Sequence, residues 1–299
     1  MPQLFLQISG LFALIVGVAL ASWRWIRPYH GQITRHQQSL LFLVVLTGVG
    51  GFVGALGWWF DVRASFSWDL PPLASRMLAA AAWSFAVGCW LALQRPSLPR
   101  LRLIIIMLFV YLTPLAVAIV LFHLGRFDWA APITYSFFVV VLGMVALTIW
   151  HLFHPVGIIT VAHDGPVRGW GRGWLWGTAV ITALWGLALF LTDAGPSTLV
   201  WVWPGDLLTS RLIAVMLWTL AAATGYSLRS TDALRVTLAV MITYGIGVVA
   251  ANVWNPAAVK PLYMLFFTLL VVGSLAILLS SDNVGGHPPQ NSSATNSTN

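Results

Sequence analysis

Residues 103 to 124 read Leu-Ile-Ile-Ile-Met-Leu-Phe-Val-Tyr-Leu-Thr-Pro-Leu-Ala-Val-Ala-Ile-Val-Leu-Phe-His-Leu, a run without any Asp, Glu, Lys or Arg. A helix rises about 1.5 Å per residue, so this run is long enough to cross a hydrocarbon core about 30 Å thick. Similar runs recur along the chain, and each one predicts a membrane-spanning helix. The predicted spans are 5–22, 39–60, 77–94, 103–124, 131–152, 174–192, 212–228, 236–253 and 261–280.

The overall composition supports the same class. Hydrophobic residues make up 59% of the chain and charged residues only 8%, whereas about a quarter of an average soluble domain is charged. We therefore predict an all-α integral membrane protein with about nine transmembrane helices. The formal net charge of +7 could suggest a nucleic-acid partner. Because the arginines are spread over short loops rather than gathered in one patch, no such partner is expected.

An internal repeat appears at an offset of 135 positions, the spacing between Arg76 and Arg211. Trp68-Asp-Leu-Pro-Pro-Leu-Ala-Ser-Arg76 aligns without a gap on Trp203-Pro-Gly-Asp-Leu-Leu-Thr-Ser-Arg211. Each repeat holds four spans, and an even number of spans returns the chain to its starting side. We therefore predict two parallel four-helix repeats plus an extra N-terminal helix. Further identical pairs in this register include Thr47 and Thr182, Gly51 and Gly186, Trp83 and Trp218, and Arg100 and Arg235.

The repeat divides the chain into five segments. In the linker, β-branched residues lie on both sides of His163-Asp-Gly-Pro, a pattern that predicts a small β-hairpin. The C-terminal tail is polar and of low complexity, which predicts disorder. The segments are an N-terminal helix with a cytoplasmic loop (1–38), the first repeat (39–152), a cytoplasmic linker (153–173), the second repeat (174–280) and the tail (281–299).

The distribution of basic residues predicts the orientation. Ten arginines fall on one side of the predicted helices, and four arginines with Lys260 fall on the other. Under the positive-inside rule the N-terminus is outside and the C-terminus is cytoplasmic. The first span lacks a basic n-region and a cleavage site, so we expect it to be retained as a helix. Short loops favour a bacterial cytoplasmic membrane.

The paired motif that ends in Arg76 and Arg211 is the most specific candidate site, and it has two interpretations. Its tryptophans could belong to an aromatic belt beside arginines that extend to the lipid headgroups. Alternatively, the two arginines could bind an anionic headgroup or solute through bidentate hydrogen bonds. Pairing with Asp61, Asp69, Asp193 or Asp206 would instead give the arginines a structural role. The candidate binding residues are Arg76, Arg211, Trp68, Trp203, Ser75 and Ser210.

No catalytic residue, metal ligand or cofactor site is predicted. His151 and His154 have a spacing that metal sites use, with His30, His36 and His163 on the same side. Because an imidazole at the membrane interface needs no ligand, we expect no metal there. The single cysteine, Cys89, allows no intramolecular disulfide. Motifs for a serine nucleophile, a phosphate loop or a zinc-binding HExxH helix are absent.

We interpret the chain as a permease-like protein that handles a small solute or lipid. The duplication favours this function, as do helix-breaking residues in the third helix of each repeat, Pro114 and Gly245-Ile-Gly247. One alternative is an accessory or scaffold subunit of a membrane complex, whose partners would be other membrane subunits as well as lipids. Another is a lipid-modifying membrane enzyme. A permease needs a cavity between the halves, a scaffold needs a flat face of small residues, and an enzyme needs clustered acids and histidines.

The orientation is testable. A reporter fused after Asn299 should be cytoplasmic, and a cysteine substituted for Pro2 should react with a thiol reagent added outside the cell, because most of the arginines remain inside. Reporter activity and labelling of intact cells measure the two ends independently. The opposite result at both ends would show that the protein has the reverse orientation in the membrane.

Overall fold

The computed structural model describes residues 2–62, 65, 70–161, 164–191, 207–255 and 260–284. It is 85% helical, and no strand occurs among the described residues. Nine helices in these ranges are long and apolar enough to cross a membrane, which fits a multi-pass membrane protein. They are α1 (Pro2–Trp25), α2 (Arg35–Trp59), α3 (Pro72–Gln94), α4 (Leu98–Ala118), α5 (Pro132–Phe153), α6 (Trp170–Leu191), α7 (Leu207–Ser227), α8 (Thr231–Trp254) and α9 (Pro261–Val284).

Each predicted span coincides with one of these helices, but α2, α3, α4, α6, α7 and α8 begin about one turn earlier than predicted. Hydropathy locates the start of the uninterrupted apolar run, whereas the helix itself begins at a capping residue before that run. Thr34 caps α2: its Oγ1 accepts a hydrogen bond from Gln37 N, and the Gln37 side chain accepts one from Thr34 N. Pro72 occupies the first position of α3, where a missing N–H costs nothing. The earlier starts bring Arg76 and Arg211 inside helices.

The centre of the bundle is formed by α3, α4, α7 and α8. Helix α3 packs on α8 and helix α4 packs on α7, while α2 lies along α3 and α6 lies along α7. Helix α5 lies against α4, α9 against α8 and α1 against α2. Most of the surface of α1 and α5 is not covered by other helices. Their apolar side chains therefore face lipid in a membrane.

Two glycines bring helices into backbone contact. A Cβ atom at Gly51 of α2 would lie 2.7 Å from the carbonyl oxygen of Ala82 in α3. A Cβ at Gly186 of α6 would lie 2.9 Å from the carbonyl oxygen of Ala214 in α7. Since a real side chain cannot come this close, only glycine permits these contacts. Small residues serve the same purpose at other helix interfaces in membranes, where backbones must approach closely.

The predicted hairpin in the linker is wrong. The N–H groups of Ile158 and Ile159 donate to the carbonyl of Pro96, at 2.9 and 3.2 Å, just before α4. Farther along, Gly165 O accepts a hydrogen bond from Thr231 N, at 3.0 Å, where α8 begins. The linker thus crosses the starts of α4 and α8 instead of pairing with itself. A local β pattern cannot reveal this, because the competing partners are backbone groups far away in the sequence.

We name the end of the bundle that the linker crosses the linker end, and the opposite end, where α3 and α7 begin, the arginine end. The linker end holds the one ion pair found among the described residues. Arg100 Nε donates to Asp232 Oδ1 at 2.9 Å, and the two side chains are only 9% and 5% exposed. Ser97 Oγ donates to the other carboxylate oxygen of Asp232. Nearby, Asp164 accepts from Ser230 Oγ at 2.8 Å and from Asp232 N at 3.2 Å.

This network places a carboxylate, that of Asp164, at the start of α8, where the helix dipole favours negative charge. It also connects α4 to α8 through Arg100 and Asp232. The three contributing segments are the linker, α4 and α8. The linker end is therefore held by neutralised charge rather than by apolar packing alone.

Replacing Asp232 with Ala should destabilise the protein, because the buried Arg100 charge would lose its partner. Breaking a buried pair in this way costs about 3–5 kcal/mol. The measurement is the free energy of unfolding in mild detergent, by thermal or denaturant titration. The same pair is tested from its other side by Arg100→Gln. Its matched control is Arg102→Gln, because Arg102 is an exposed arginine in the same turn of α4. Equal stability of Arg100→Gln and Arg102→Gln would contradict a structural role for the pair.

Candidate functional site

Arg76 lies in the second turn of α3 and reaches the end of α8. Its Nη1 donates to Asn255 Oδ1 at 2.9 Å, and its guanidinium carbon lies 5.6 Å from the ring centre of Trp254. The side chain is half-buried. Its Nε is buried and has no hydrogen-bond partner among the described residues. The arginine thus has a fixed position and one buried donor without a partner in the described part of the chain.

Arg211 repeats this arrangement on α7 and reaches the end of α4. The residues that directly follow α4, Ile119–His123, form a π-helical turn. Arg211 Nη1 lies 2.7 Å from His123 Nε2. Since arginine can only donate, His123 accepts at Nε2 and is in its neutral form with the proton on Nδ1. Phe122 and Phe190 flank the guanidinium at 4.7 and 5.5 Å, within the range of cation–π attraction.

The two arginines share a chemical state. Each bonds a neutral side chain, and the Nε of each lacks a partner in the part of the chain that the structure describes. Of the four aspartates considered from the sequence, Asp61 forms no ion pair with either arginine, and the other three lie outside the described residues. A guanidinium whose Nε–H has no partner can bind a carboxylate or phosphate bidentately. Both Nε atoms are buried, so an anion would have to displace their neighbours to bind in this way.

The two serines of the motif have a structural role in this arrangement. Ser75 Oγ donates to the carbonyl of Trp58 at 2.5 Å, and Ser210 Oγ donates to the carbonyl of Leu189 at 2.6 Å. Both serines are fully buried. Their hydroxyl protons hold α3 to α2 and α7 to α6. The other two candidate residues, Trp68 and Trp203, lie outside the described residues.

A narrow cavity lies between α3 and α7, close to the arginine end. It has room for about one water molecule. Two tyrosines, Tyr111 of α4 and Tyr244 of α8, complete its wall. Neither Arg76 nor Arg211 lines it. The other lining residues are Ala74, Met77, Leu78 and Ala81 of α3, and Thr209, Leu212, Ile213 and Met216 of α7.

The cavity-lining positions correspond in the repeat register. Ala74 aligns with Thr209, and Leu78 aligns with Ile213, at the same offset that relates the two arginines. Met77 with Leu212, and Ala81 with Met216, complete the matching set. The lining is mostly apolar, with polar groups only at Thr209 and the tyrosines. The arrangement can accept an apolar group if the helices separate.

Three histidines meet at the linker end. The ring centres of His36 and His151 are 4.6 Å apart. His36 Nε2 donates to the carbonyl of His154 at 2.8 Å, and its Nδ1 accepts from Trp150 Nε1 at 3.3 Å. Both nitrogens of His36 are therefore committed. In the described part of the chain, no group of three or more His, Cys, Asp or Glu is arranged to hold a metal ion; His163 lies outside it.

Sequence reasoning missed the partners of the two arginines. Asn255 directly follows α8 and His123 ends the π-helical turn after α4, but nothing in their spacing connects them to Arg76 or Arg211. Tyr111 was also missed, because a tyrosine inside an apolar run gives no signal of its own. A test of which residues lie at matched helix ends could have found His123 and Asn255.

The fold fits a multi-pass α-helical membrane protein. At its arginine end, Arg76 links α3 to the end of α8, and Arg211 links α7 to the turn after α4. Comparisons with protein-family models, with curated proteins and with solved structures find no match to this chain.

We expect Arg76→Lys and Arg211→Lys each to weaken the binding of anionic lipid by about tenfold, because lysine keeps the charge but loses the planar fork. Native mass spectrometry of the purified protein, titrated with phosphatidylglycerol, measures the retained lipid. Expression and membrane insertion should stay near normal. The control is Arg126→Lys, an exposed arginine at the same end outside the motif. If all three variants retain lipid equally, the aromatic-belt interpretation is correct.

Proposed function

We propose that the chain consists of two parallel four-helix repeats, α2–α5 and α6–α9, related by a pseudo-twofold axis along the membrane normal. The pattern of helix contacts supports this proposal. In this repeat α2, α3, α4 and α5 correspond to α6, α7, α8 and α9. The pair α2 and α3 then corresponds to α6 and α7, the pair α3 and α8 to α7 and α4, and the pair α4 and α5 to α8 and α9. All of these pairs are in contact. Helix α1 lies outside the repeat.

Side-chain contacts support the repeat as well. Thr47 and Thr182 each donate to the carbonyl four residues earlier, at 2.8 and 2.7 Å. Ser97 and Asp232, which bond each other, are also matched positions. Contacts between equivalent residues are expected where a pseudo-twofold axis passes. We propose in addition that the arginine end faces outward and the linker end the cytoplasm, in a bacterial cytoplasmic membrane, as the arginine distribution favours.

The function we propose for this arrangement is that of a permease-like protein. The observation that carries it is the cavity between the halves, because matched residues of α3 and α7 line it. A site on a pseudosymmetry axis is where two rigid halves can open alternately to either side. The narrowness of the cavity corresponds to a closed state. The halves would have to separate before a solute could enter.

The chemistry around the cavity favours a cargo with an apolar body and an anionic group. The cavity wall is mostly apolar, and Tyr111 and Tyr244 can each offer a hydroxyl. At the same end, Arg76 and Arg211 each carry a buried Nε–H that has no partner among the described residues. An amphipathic organic anion, or a lipid, would bind both environments. The arginines would hold the anionic group near the surface, and the apolar body would enter between α3 and α7.

Two irregularities, one inside α4 and one directly after it, lie where movement would be needed. Pro114 lies inside α4, where proline cannot donate to the carbonyl four residues earlier. The π-helical turn Ile119–His123 follows it and ends at the partner of Arg211. Such turns are frequent at functional sites. On α8 the corresponding glycines serve close packing instead: a Cβ at Gly247 would lie 2.5 Å from Ala80 Cβ of α3.

A cysteine accessibility experiment tests the proposed function. In a Cys89→Ala background, single cysteines replace Leu78 or Ile213, which line the cavity. Controls carry cysteine at the neighbouring Ala79 or Ala214, which are fully buried and do not line it. An anionic, membrane-impermeant methanethiosulfonate reagent is added to right-side-out or inverted vesicles. A permease should be labelled at 78 and 213 from both sides, at least about tenfold faster than the controls, because a buried thiol reacts only after local opening.

Other outcomes separate the alternatives. Labelling at 78 and 213 from one side only would favour a static binding protein or an accessory subunit of a membrane complex. No labelling at any of the four positions would refute the permease proposal. Size-exclusion chromatography of each variant confirms that it is folded before labelling.

A further inference from the structure

A second cavity lies at the linker end, where α1 passes into α2. It has a volume of about 190 Å³ and is lined by Ile26, Arg27, His30, Gly31, Ile33, Arg35 and Gln38. We name it the α1–α2 pocket. Ile26 is buried and forms an apolar floor, whereas the basic side chains are exposed around it. Gly31, with φ of 80°, turns the chain so that residues before and after it face one depression.

The charge of the α1–α2 pocket is uncompensated within the described residues. Two guanidinium groups, an imidazole and an amide line it, and no aspartate or glutamate does. The described acids of the linker end whose contacts are known are engaged elsewhere: Asp164 with Ser230, and Asp232 with Arg100. The positive end of the α2 dipole adds to the potential, because α2 begins at Arg35. An anion is therefore the ligand that this pocket favours.

One of the two arginines is held in position. The guanidinium carbon of Arg27 lies 3.5 Å from the ring centre of Trp23, a cation–π stack. Stacking fixes the plane of the guanidinium and leaves its N–H edge available for a ligand. Arg27 is thus oriented in advance for bidentate bonding.

We propose that the α1–α2 pocket binds a phosphate group. A phosphate presents several acceptor oxygens, which match the forks of Arg27 and Arg35 and the amide of Gln38. The pocket lies at the end of the first span, which runs from Leu6 to Tyr29, and so at the depth of lipid headgroups. A phospholipid headgroup and a free phosphate share this chemistry. Helix α1 lies outside the proposed repeat, so the second half has no counterpart of this site.

This proposal does not rest on the permease function, because the pocket lies at the opposite end of the bundle from Arg76 and Arg211. The experiment keeps the two sites apart. Binding is measured both in the wild type and in an Arg76→Gln/Arg211→Gln background, in detergent. The probes are dioctanoyl phosphatidylglycerol, dioctanoyl phosphatidylcholine and inorganic phosphate, titrated by isothermal calorimetry.

The test variant is Arg27→Gln/Arg35→Gln, and Arg27→Lys/Arg35→Lys preserves the charge without the fork. The matched control is Arg24→Gln/Arg102→Gln, which removes the same charge from exposed arginines of the linker end that do not line the pocket. We expect saturable binding of phosphatidylglycerol or phosphate that falls at least about tenfold in the test variant, because two charge-assisted contacts are lost. The control should bind as tightly as its parent.

The arms of the experiment identify the source of the phosphate. Binding of phosphatidylglycerol without competition by inorganic phosphate assigns the site to a lipid headgroup. Competition by inorganic phosphate assigns it to a free phosphate. The proposal is overturned if neither phosphatidylglycerol nor inorganic phosphate binds saturably. It is also overturned if the control variant weakens binding as much as the test variant, since the ligand would then be attracted by the overall positive charge of this end. Should the glutamine variant fail to fold, the lysine variant decides, with weaker binding supporting the proposal and unchanged binding overturning it.

Discussion

The hydrocarbon layer imposes the constraint on which the rest of this structure depends. With no water to bond them, backbone polar groups must be satisfied within helices, and charged side chains must stay near the two surfaces. The charged residues that the structure describes lie in connections or within about two turns of a helix end. Between these layers, the helices are held by close packing, as at Gly51 and Gly186. Specific polar chemistry is therefore confined to the linker end and the arginine end.

The two ends use charge differently. At the linker end, Arg100 has a buried carboxylate partner in Asp232, and Asp164 lies at the start of α8. These contacts stabilise the join between the halves. At the arginine end, the described partners of Arg76 and Arg211 are neutral. A partly buried cation that has no counter-ion among the described residues is costly, and an arriving anion would lower that cost. This contrast is the physical reason for placing the proposed permease site near the arginine end.

In the proposed repeat, both duplication and divergence would contribute to the sites. The cavity lies between α3 and α7, and under that proposal its outline follows from the meeting of equivalent helix faces. The residues have diverged, as with Ala74 and Thr209, and the lining is not chemically symmetric. The α1–α2 pocket arises differently, because α1 has no counterpart in the second half. A protein built by duplication can thus carry one site on its axis and another that breaks its symmetry.

The sequence by itself determined the class of the protein, the number and order of its helices among the described residues, and the prominence of Arg76 and Arg211. These follow from run length, charge and repetition, which are local or directly comparable along the chain. The predicted helix starts are late by about a turn, because the predicted spans contain no charged residues, whereas the helices begin at capping residues that precede them. The linker hairpin was wrong for a related reason, since its backbone bonds the starts of α4 and α8 instead. Only the tertiary structure decided that Arg76 meets Asn255, that Arg211 meets His123 and that Arg100 meets Asp232, because these partners are distant in sequence and come together only through the packing of whole helices.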